Sequence, residues 1–329
     1  MKNYQTRRQA IASMASTCAI PFAFAQTAFP NKPLKIIVPQ PPGGGFDFVG
    51  RVLAERLGKQ LGQSIVVENK PGSGTLVGTD FVAKAAPDGY TLLVGSVSNL
   101  ALNMGLYANL PYDSLHDFEL LGLASSYSYT LMARKDLPFK DLRDLVAYAK
   151  TNPGKLSYAS AGNGSGQHVL AAALWHLAGV ELIHVPYRGA QAAYQDLLGG
   201  RVDVFFDLAP TARVQVDAGN VRALATSGAA RNPMHPDVPT LIETGVTGTA
   251  ALELESWFGL FVPSKTPTEV QDKLRSELAK VIDSPETASL FTKAGGRPLA
   301  LKLDEAKALV RRDVERWTKL IKTIGVKPE

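Results

Sequence analysis

Two glycine-rich loops carry the residues best suited to chemistry in this chain. The first, Pro39-Gln40-Pro41-Pro42-Gly43-Gly44-Gly45-Phe46-Asp47, follows the apolar run Leu34 to Val38 and opens onto a helical pattern. The second, Ser160-Ala161-Gly162-Asn163-Gly164-Ser165-Gly166-Gln167-His168, follows another short apolar run and again opens a helix. A strand, a glycine loop and a helix in that order aim backbone N–H groups at an open crevice, where an anion can be held without a basic side chain. Asp47 stands at the start of its helix, where its carboxylate can accept from early N–H groups and fix the loop; a plain capping role is the competing reading. Ser165 is a candidate N-cap, and His168, close behind it, is placed to hydrogen-bond the loop.

Several other groups have the right type but the wrong company. Gly72-Ser73-Gly74-Thr75-Leu76-Val77-Gly78 echoes a dinucleotide loop with the wrong spacing, and loop or helix packing accounts for it. The five histidines form no i, i+4 pair and have no cysteine partners, so no metal site and no cofactor are expected. A hydrolase built on Ser165 with His168 or His184 as base would acquire a Gly-x-Ser-x-Gly elbow only with glycine at positions 163 and 167, which hold Asn163 and Gln167. A secreted hydrolase of small esters or amides therefore stands as the alternative from another class. Arg188 can pair with a ligand carboxylate or take part in a surface ion pair.

The elements that position these loops follow from periodicity. Strands are expected at Leu34 to Val38, Ile65 to Val67 and Thr91 to Val94, with helices at Asp47 to Leu61 and Thr75 to Ala85. The rhythm restarts with strands at Tyr129 to Ala133, Leu156 to Ala159, Ile183 to Val185 and Val202 to Phe206, and helices at Leu142 to Lys150, Gln167 to Ala178 and Ala190 to Leu198. A strand at Trp257 to Val262 and helices at Thr268 to Ile282 and Asp304 to Thr323 close the chain. This is an α/β pattern of two units, each a mostly parallel sheet flanked by helices. The helical tail cannot form a core alone, so it is expected to return to the first unit, with two crossings between domains and a cleft between them. The expected boundaries are residues 26–126 with 252–329 for domain 1 and 127–251 for domain 2.

Residues 1–25 stand apart. Lys2, Arg7 and Arg8 precede an apolar, small-residue run that ends Ala23-Phe24-Ala25, the pattern of a secretory signal, which places the mature chain outside the cytoplasm. The pair Arg7-Arg8 leaves twin-arginine export open beside the ordinary route. Cys18, the single cysteine of the 329 residues, lies within this segment, so the mature chain has no thiol chemistry. Removing the segment leaves 32 basic against 30 acidic residues, which takes away the argument for nucleic acid. The basic residues of the last helix, Arg311 to Lys322, alternate with acids as a solvated face does.

Taken in order, Pro41 to Asp47, Val67-Glu68-Asn69-Lys70-Pro71-Gly72, Pro87-Asp88-Gly89-Tyr90-Thr91-Leu92-Leu93, Tyr158 to Gly162, His184-Val185-Pro186-Tyr187-Arg188-Gly189 and Pro239-Thr240 resemble the Bug family of bacterial periplasmic receptors, the substrate-binding component of tripartite tricarboxylate transporters. The resemblance runs from Pro30 to about Lys322. It implies a periplasmic-binding-protein clamshell, the Venus-flytrap arrangement, that is not an enzyme, acts as a monomer, holds a small organic acid between its domains largely through backbone groups, and delivers it to membrane transporter subunits; a receptor that feeds a signalling sensor is the variant of this reading. Carried over, the ligand-binding residues would be Gly43, Gly44, Gly45, Phe46 and Asp47 in the first loop, and Ser160, Ala161, Gly162, Gly164, Ser165 and His168 in the second. Tyr187, Arg188, Gly189 and Asp207 would complete the wall, with Ser96 and Ser98 as hydroxyl donors. Phe46 departs from the small or hydroxylated residue usual at its position. A ring there narrows the pocket or supplies a face for an aromatic acid, with Phe205 or Phe206 as further apolar contacts; those two also read as core.

Overall fold

The computed structural model describes residues 29–328; the expected signal segment lies outside the described residues. The first lobe begins with strand β1 (Leu34–Val38), helix α1 (Gly45–Leu61), β2 (Ile65–Asn69), α2 (Leu76–Ala83) and β3 (Thr91–Ser96). β1 is an almost unbroken apolar run because it lies in the middle of a sheet, parallel to β2 on one side and β3 on the other. In α1, Phe46, Val49, Leu53 and Leu57 recur at helical spacing and form its buried face. After β3 come one turn of π-helix, Val97–Leu102, and the short α3 (Asn103–Leu106).

The chain then enters β4 (Phe118–Arg134), a strand of 17 residues shared by both lobes. Its first half pairs antiparallel with β9, and its second half pairs with β7 on one side and β8 on the other. The change of partner falls between Ser128, opposite Glu255, and Tyr129, opposite Leu208. The second lobe comprises α4 (Leu142–Thr151), β5 (Ser157–Ser160), α5 (Gly166–Ala178), β6 (Ile183–Pro186), α6 (Ala190–Leu198), β7 (Val204–Leu208), α7 (Ala209–Asp217) and β8 (Val221–Thr226). The chain returns through β9 (Glu255–Pro263), and α8 (Thr268–Ile282), α9 (Pro285–Lys293), β10 (Arg297–Pro298) and α10 (Leu303–Ile324) finish the first lobe. Val310, Val314, Trp317 and Ile321 make the buried stripe of α10, and the helix packs back on the π-turn and α3. The tail therefore returns to the first unit, as its lack of an independent core requires.

The strand order is β2-β1-β3-β9-β4-β7-β5-β6, and the sheets are mixed. The outer strands of each lobe are parallel, as the alternating strand and helix pattern predicts, while β9 is antiparallel to both its neighbours and β7 and β8 are antiparallel to β4. The two crossings run side by side and share one pin. The Ser227 hydroxyl accepts from the Tyr129 N–H at 2.9 Å and donates to the Leu254 carbonyl at 2.6 Å. The Ser227 N–H donates in turn to the Tyr129 carbonyl at 2.9 Å.

Candidate ligand cleft

The first loop is held from below by Asp47. One carboxylate oxygen accepts from the Gly43 N–H at 3.0 Å and from Arg51 Nε at 2.9 Å, and the other accepts from the Asn69 amide at 3.0 Å. Asn69 also donates to the Gln40 carbonyl at 2.9 Å, so both ends of the loop are tied. Burial pushes the Asp47 carboxyl up, but the hydrogen bonds from Arg51, Gly43 and Asn69 and the Arg51 charge outweigh it and hold the group below its ordinary value. The N-cap of α1 is Gly44, which has no side chain to cover the first turn. Its leading N–H groups, at Gly45, Phe46 and Asp47, have no acceptor among the described residues, and this is the bare backbone end the sequence predicts.

The second loop is different: the amides of its three glycines and of Ser165 are already engaged. Gly162 N–H donates to Ser160 Oγ at 3.2 Å, Gly164 N–H to His168 Nδ1 at 3.2 Å and Ser165 N–H to the Gly162 carbonyl at 3.0 Å. Ser165 caps α5 as expected, accepting from His168 N–H at 3.3 Å. The Gly166 N–H crosses to the other lobe and donates to Ser98 Oγ at 3.0 Å. Ser98 thus acts here as an acceptor between lobes, and Ser96 caps the π-turn by accepting from the Ser98 N–H at 3.0 Å. The expectation of a second open cradle is corrected for this arrangement, in which Ser160, His168, the Gly162 carbonyl and Ser98 accept from four of the loop's N–H groups.

A column of stacked rings supports that loop. His168 lies 4.2 Å from His184, and His184 lies 4.8 Å from Tyr158, both nearly parallel. Burial, reinforced by His184, pushes the His168 pKa down to about 3, so the ring is neutral and its Nδ1 can accept from Gly164. Ser160 Oγ lies 2.7 Å from His184 Nε2, the pairing of a nucleophile and its base, but Ser160 is completely buried and also accepts from Gly162. Ser165 is equally buried and engaged as a cap. Neither serine presents its hydroxyl to a substrate.

The interlobe cleft holds two cavities at the C-terminal ends of the parallel strands, the place where open α/β sheets bind ligands. One, of about 500 Å³, is lined by Pro41, residues 71–74 of the β2–α2 loop, residues 161–163, and Pro186, Tyr187, Arg188 and Gly189. The other, of about 430 Å³, is lined by Gly43, Gly44, Asp47, Phe48 and Arg51 facing Gln191, Tyr194, Thr211 and neighbours from α7. Between them Pro41 abuts Gly189 and the Gln191 amide donates to the Gly43 carbonyl at 3.0 Å. The structure therefore brings Ala161, Gly162, Tyr187, Arg188 and Gly189 to one chamber and Gly43, Gly44 and Asp47 to the next. Arg188 is the one formal charge among residues lining the larger chamber, and no described residue pairs with it. The Tyr187 hydroxyl donates to Asp196 at 2.7 Å; burial and that carboxylate push its pKa up to about 12.

Other expected contacts lie elsewhere. The Phe46 ring is 1% exposed and meets Phe258 edge-on at 5.0 Å, so it clamps α1 onto β9 and shows no face to either chamber. Phe205 and Phe206 are core. Asp207 is buried and accepts from Gln167 at 3.0 Å, from Tyr194 at 2.9 Å and from Thr211; burial raises its pKa against these bonds. It ties α5, α6 and α7 to the end of β7 and is scaffolding for the wall. The β2–α2 loop, whose glycines the sequence assigns to loop or helix packing, lines the larger chamber through Pro71, Gly72, Ser73 and Gly74.

Known proteins agree with this architecture. A family model described as tripartite tricarboxylate transporter family receptor, TctC, matches residues 49–326. The chain is 38% identical over 317 residues to the UPF0065 protein in the tcbD-tcbE intergenic region of Pseudomonas sp. (strain P51), covering 96% of this chain and 94% of that one. Among solved structures it superposes on the periplasmic binding protein BugD with a TM-score of 0.85 at 36% identity, covering 91% of this chain and 100% of the other. R. palustris Rpa4515 with adipate gives a TM-score of 0.84 at 32% identity, covering 90% and 98%.

Proposed function

The chain belongs to the TctC receptor family of tripartite tricarboxylate transporters, and on that premise we propose that it is an exported, periplasmic, monomeric receptor that holds a small organic carboxylate between its lobes and hands it to the membrane subunits of such a transporter. It binds without turnover. Domain 1 is residues 26–126 with 252–329 and domain 2 residues 127–251; the change of partner along β4 near Ser128 and the start of β9 at Glu255 support these limits. One observation carries the ligand class: a cavity of about 500 Å³ between the lobes whose lining holds a single formal charge, the unpaired cation of Arg188. The uncapped N-terminus of α1, one chamber away, adds favourable potential for an anion. A relative of the same fold, Rpa4515, was solved with adipate, an aliphatic acid. The Phe46, Phe205 and Phe206 rings are all buried and offer no platform for an aromatic acid, and the adipate of that relative supports an aliphatic one.

Binding to both lobes favours the closed form over the open one, and the membrane partner would recognise that closed form. The test is thermal melting against a panel of aliphatic mono-, di- and tricarboxylates and aromatic acids. A cognate acid at 100 times its Kd adds about 2.7 kcal/mol of stability. Absence of a shift with every acid, or release of product from any small ester or amide at a catalytic rate, refutes the proposal.

A further inference from the structure

A third segment reaches the cleft beside the two glycine loops. Pro71, Gly72, Ser73 and Gly74 form the first lobe's side of the larger chamber. Ser73 has φ of +43°, a left-handed conformation that costs a residue with a side chain energy and persists where the surroundings hold it. Across the cleft lies the backbone of residues 163–165. A methyl group on Gly74 would stand 2.3 Å from the Asn163 carbonyl oxygen, 2.9 Å from the Gly164 carbonyl carbon and 3.0 Å from the Ser165 nitrogen. All three are main-chain atoms, so no side chain can turn aside to make room. The same seam has a second fitted pair. The Tyr107 hydroxyl lies 3.5 Å from the Ser73 carbonyl oxygen, and a methyl group on Gly164 would stand 2.5 Å from that hydroxyl.

We propose that residues 71–74 are the third wall of the ligand site and that Gly74 is a positioning residue. Its bare Cα seats the loop on residues 163–165, which seals one flank of the chamber and limits how far a bound acid can extend. The ligand part rests on the carboxylate-receptor reading; the seam itself does not. A ligand that protrudes past the chamber would hold Gly74 off its seat and so forfeit the closed form, which makes the seam a length filter.

The experiment uses the mature chain, which has no cysteine of its own once Cys18 is removed, with spin labels at Lys59→Cys in the first lobe and Lys150→Cys in the second. The probes are straight-chain dicarboxylates from succinate to suberate. In the parent chain, the inter-label distance should shorten with the acids that fit and not with longer ones. Gly74→Ala should bind those acids at least tenfold more weakly and stay at the open distance when they are added; its φ of +72° lowers the acid-free melting temperature as well, as it does for Gly62→Ala at φ +64° in open space, which should keep parent affinity and closure. Gly164→Ala should do the same by striking the Tyr107 hydroxyl at 2.5 Å and its ring carbons at 3.2 Å, and adding Tyr107→Ala, which removes both, should recover closure, a rescue that general destabilisation does not produce. Parent-like affinity and closure in Gly74→Ala, or failure of Tyr107→Ala to rescue, overturns the proposal. If no acid of the series binds the parent chain, the carboxylate reading fails and the ligand part of this proposal with it, whereas acids that bind and close the parent and Gly74→Ala alike overturn the seam alone.

Discussion

Replacing Asp47 with alanine removes the group that ties the first loop together, and its cost can be assembled from the bonds lost. The Gly43 N–H and the Asn69 amide are left without their acceptor in a partly buried place, at about 1 kcal/mol each. Arg51 is more than half exposed and returns to water at little cost. The sum is about 2 kcal/mol, which for a chain of this size lowers Tm by about 3 °C. Asp47→Asn retains one acceptor oxygen and should lose about half as much. There is also a pH signature. The Asp47 pKa is depressed by folding, so its stabilisation is present above the unfolded carboxylate value and is lost as pH falls through the folded one. Thermal melts of parent, Asp47→Ala and Asp47→Asn at neutral pH and again near pH 3 measure both effects. Equal Tm for Asp47→Ala and parent at neutral pH, or a deficit that does not shrink in acid, refutes the reasoning.

Two further perturbations probe the cleft. His168 has its folded pKa pushed down to about 3, so between its unfolded value near 6.5 and that point the unfolded chain binds the extra proton and stability drops as the solution is acidified. About 2 kcal/mol should be lost between neutrality and pH 5, and His168→Gln, which keeps an acceptor for Gly164 but does not titrate, should flatten that loss in urea titrations; an unchanged slope counts against the neutral ring. Gln191→Leu deletes the hydrogen bond that joins α6 to the Gly43 carbonyl, worth about 1 kcal/mol in the closed form. Dissociation of the bound acid should speed up about fivefold in stopped-flow measurements, with association little changed, and an unaltered off-rate would remove Gln191 from the closing contacts.

Much of the architecture was legible because it rests on periodicity. The buried stripe of α1, the apolar β1 and the Ser165 cap of α5 all follow from local residue choice, and the structure has them where the sequence puts them. What was illegible depends on tertiary pairing. The first half of β4 contains Gly122, Ala124 and three serines, so it lacks the apolar run of a strand and owes its extension to β9. β8 looks helical with its two alanines and is fixed as a strand by β4, while α7 begins with Pro210, which reads as a breaker until it is placed in the first turn. In the cleft, the first loop's tether was visible in Asp47. The engagement of the Gly166 donor was not, because its acceptor Ser98 lies 68 residues away in the other lobe. Phe46 misled for the same reason: nothing local announces Phe258 as its neighbour.

The Ser227 pin bears on the kind of motion this receptor can make. One hydroxyl bonds the chain at both crossings, accepting from Tyr129 in β4 and donating to Leu254 at the entry to β9. At about 1 kcal/mol per hydrogen bond, it couples the two segments where the sheet changes partners, so a reorientation of the lobes that bends β4 near Tyr129 is carried to the returning segment as well.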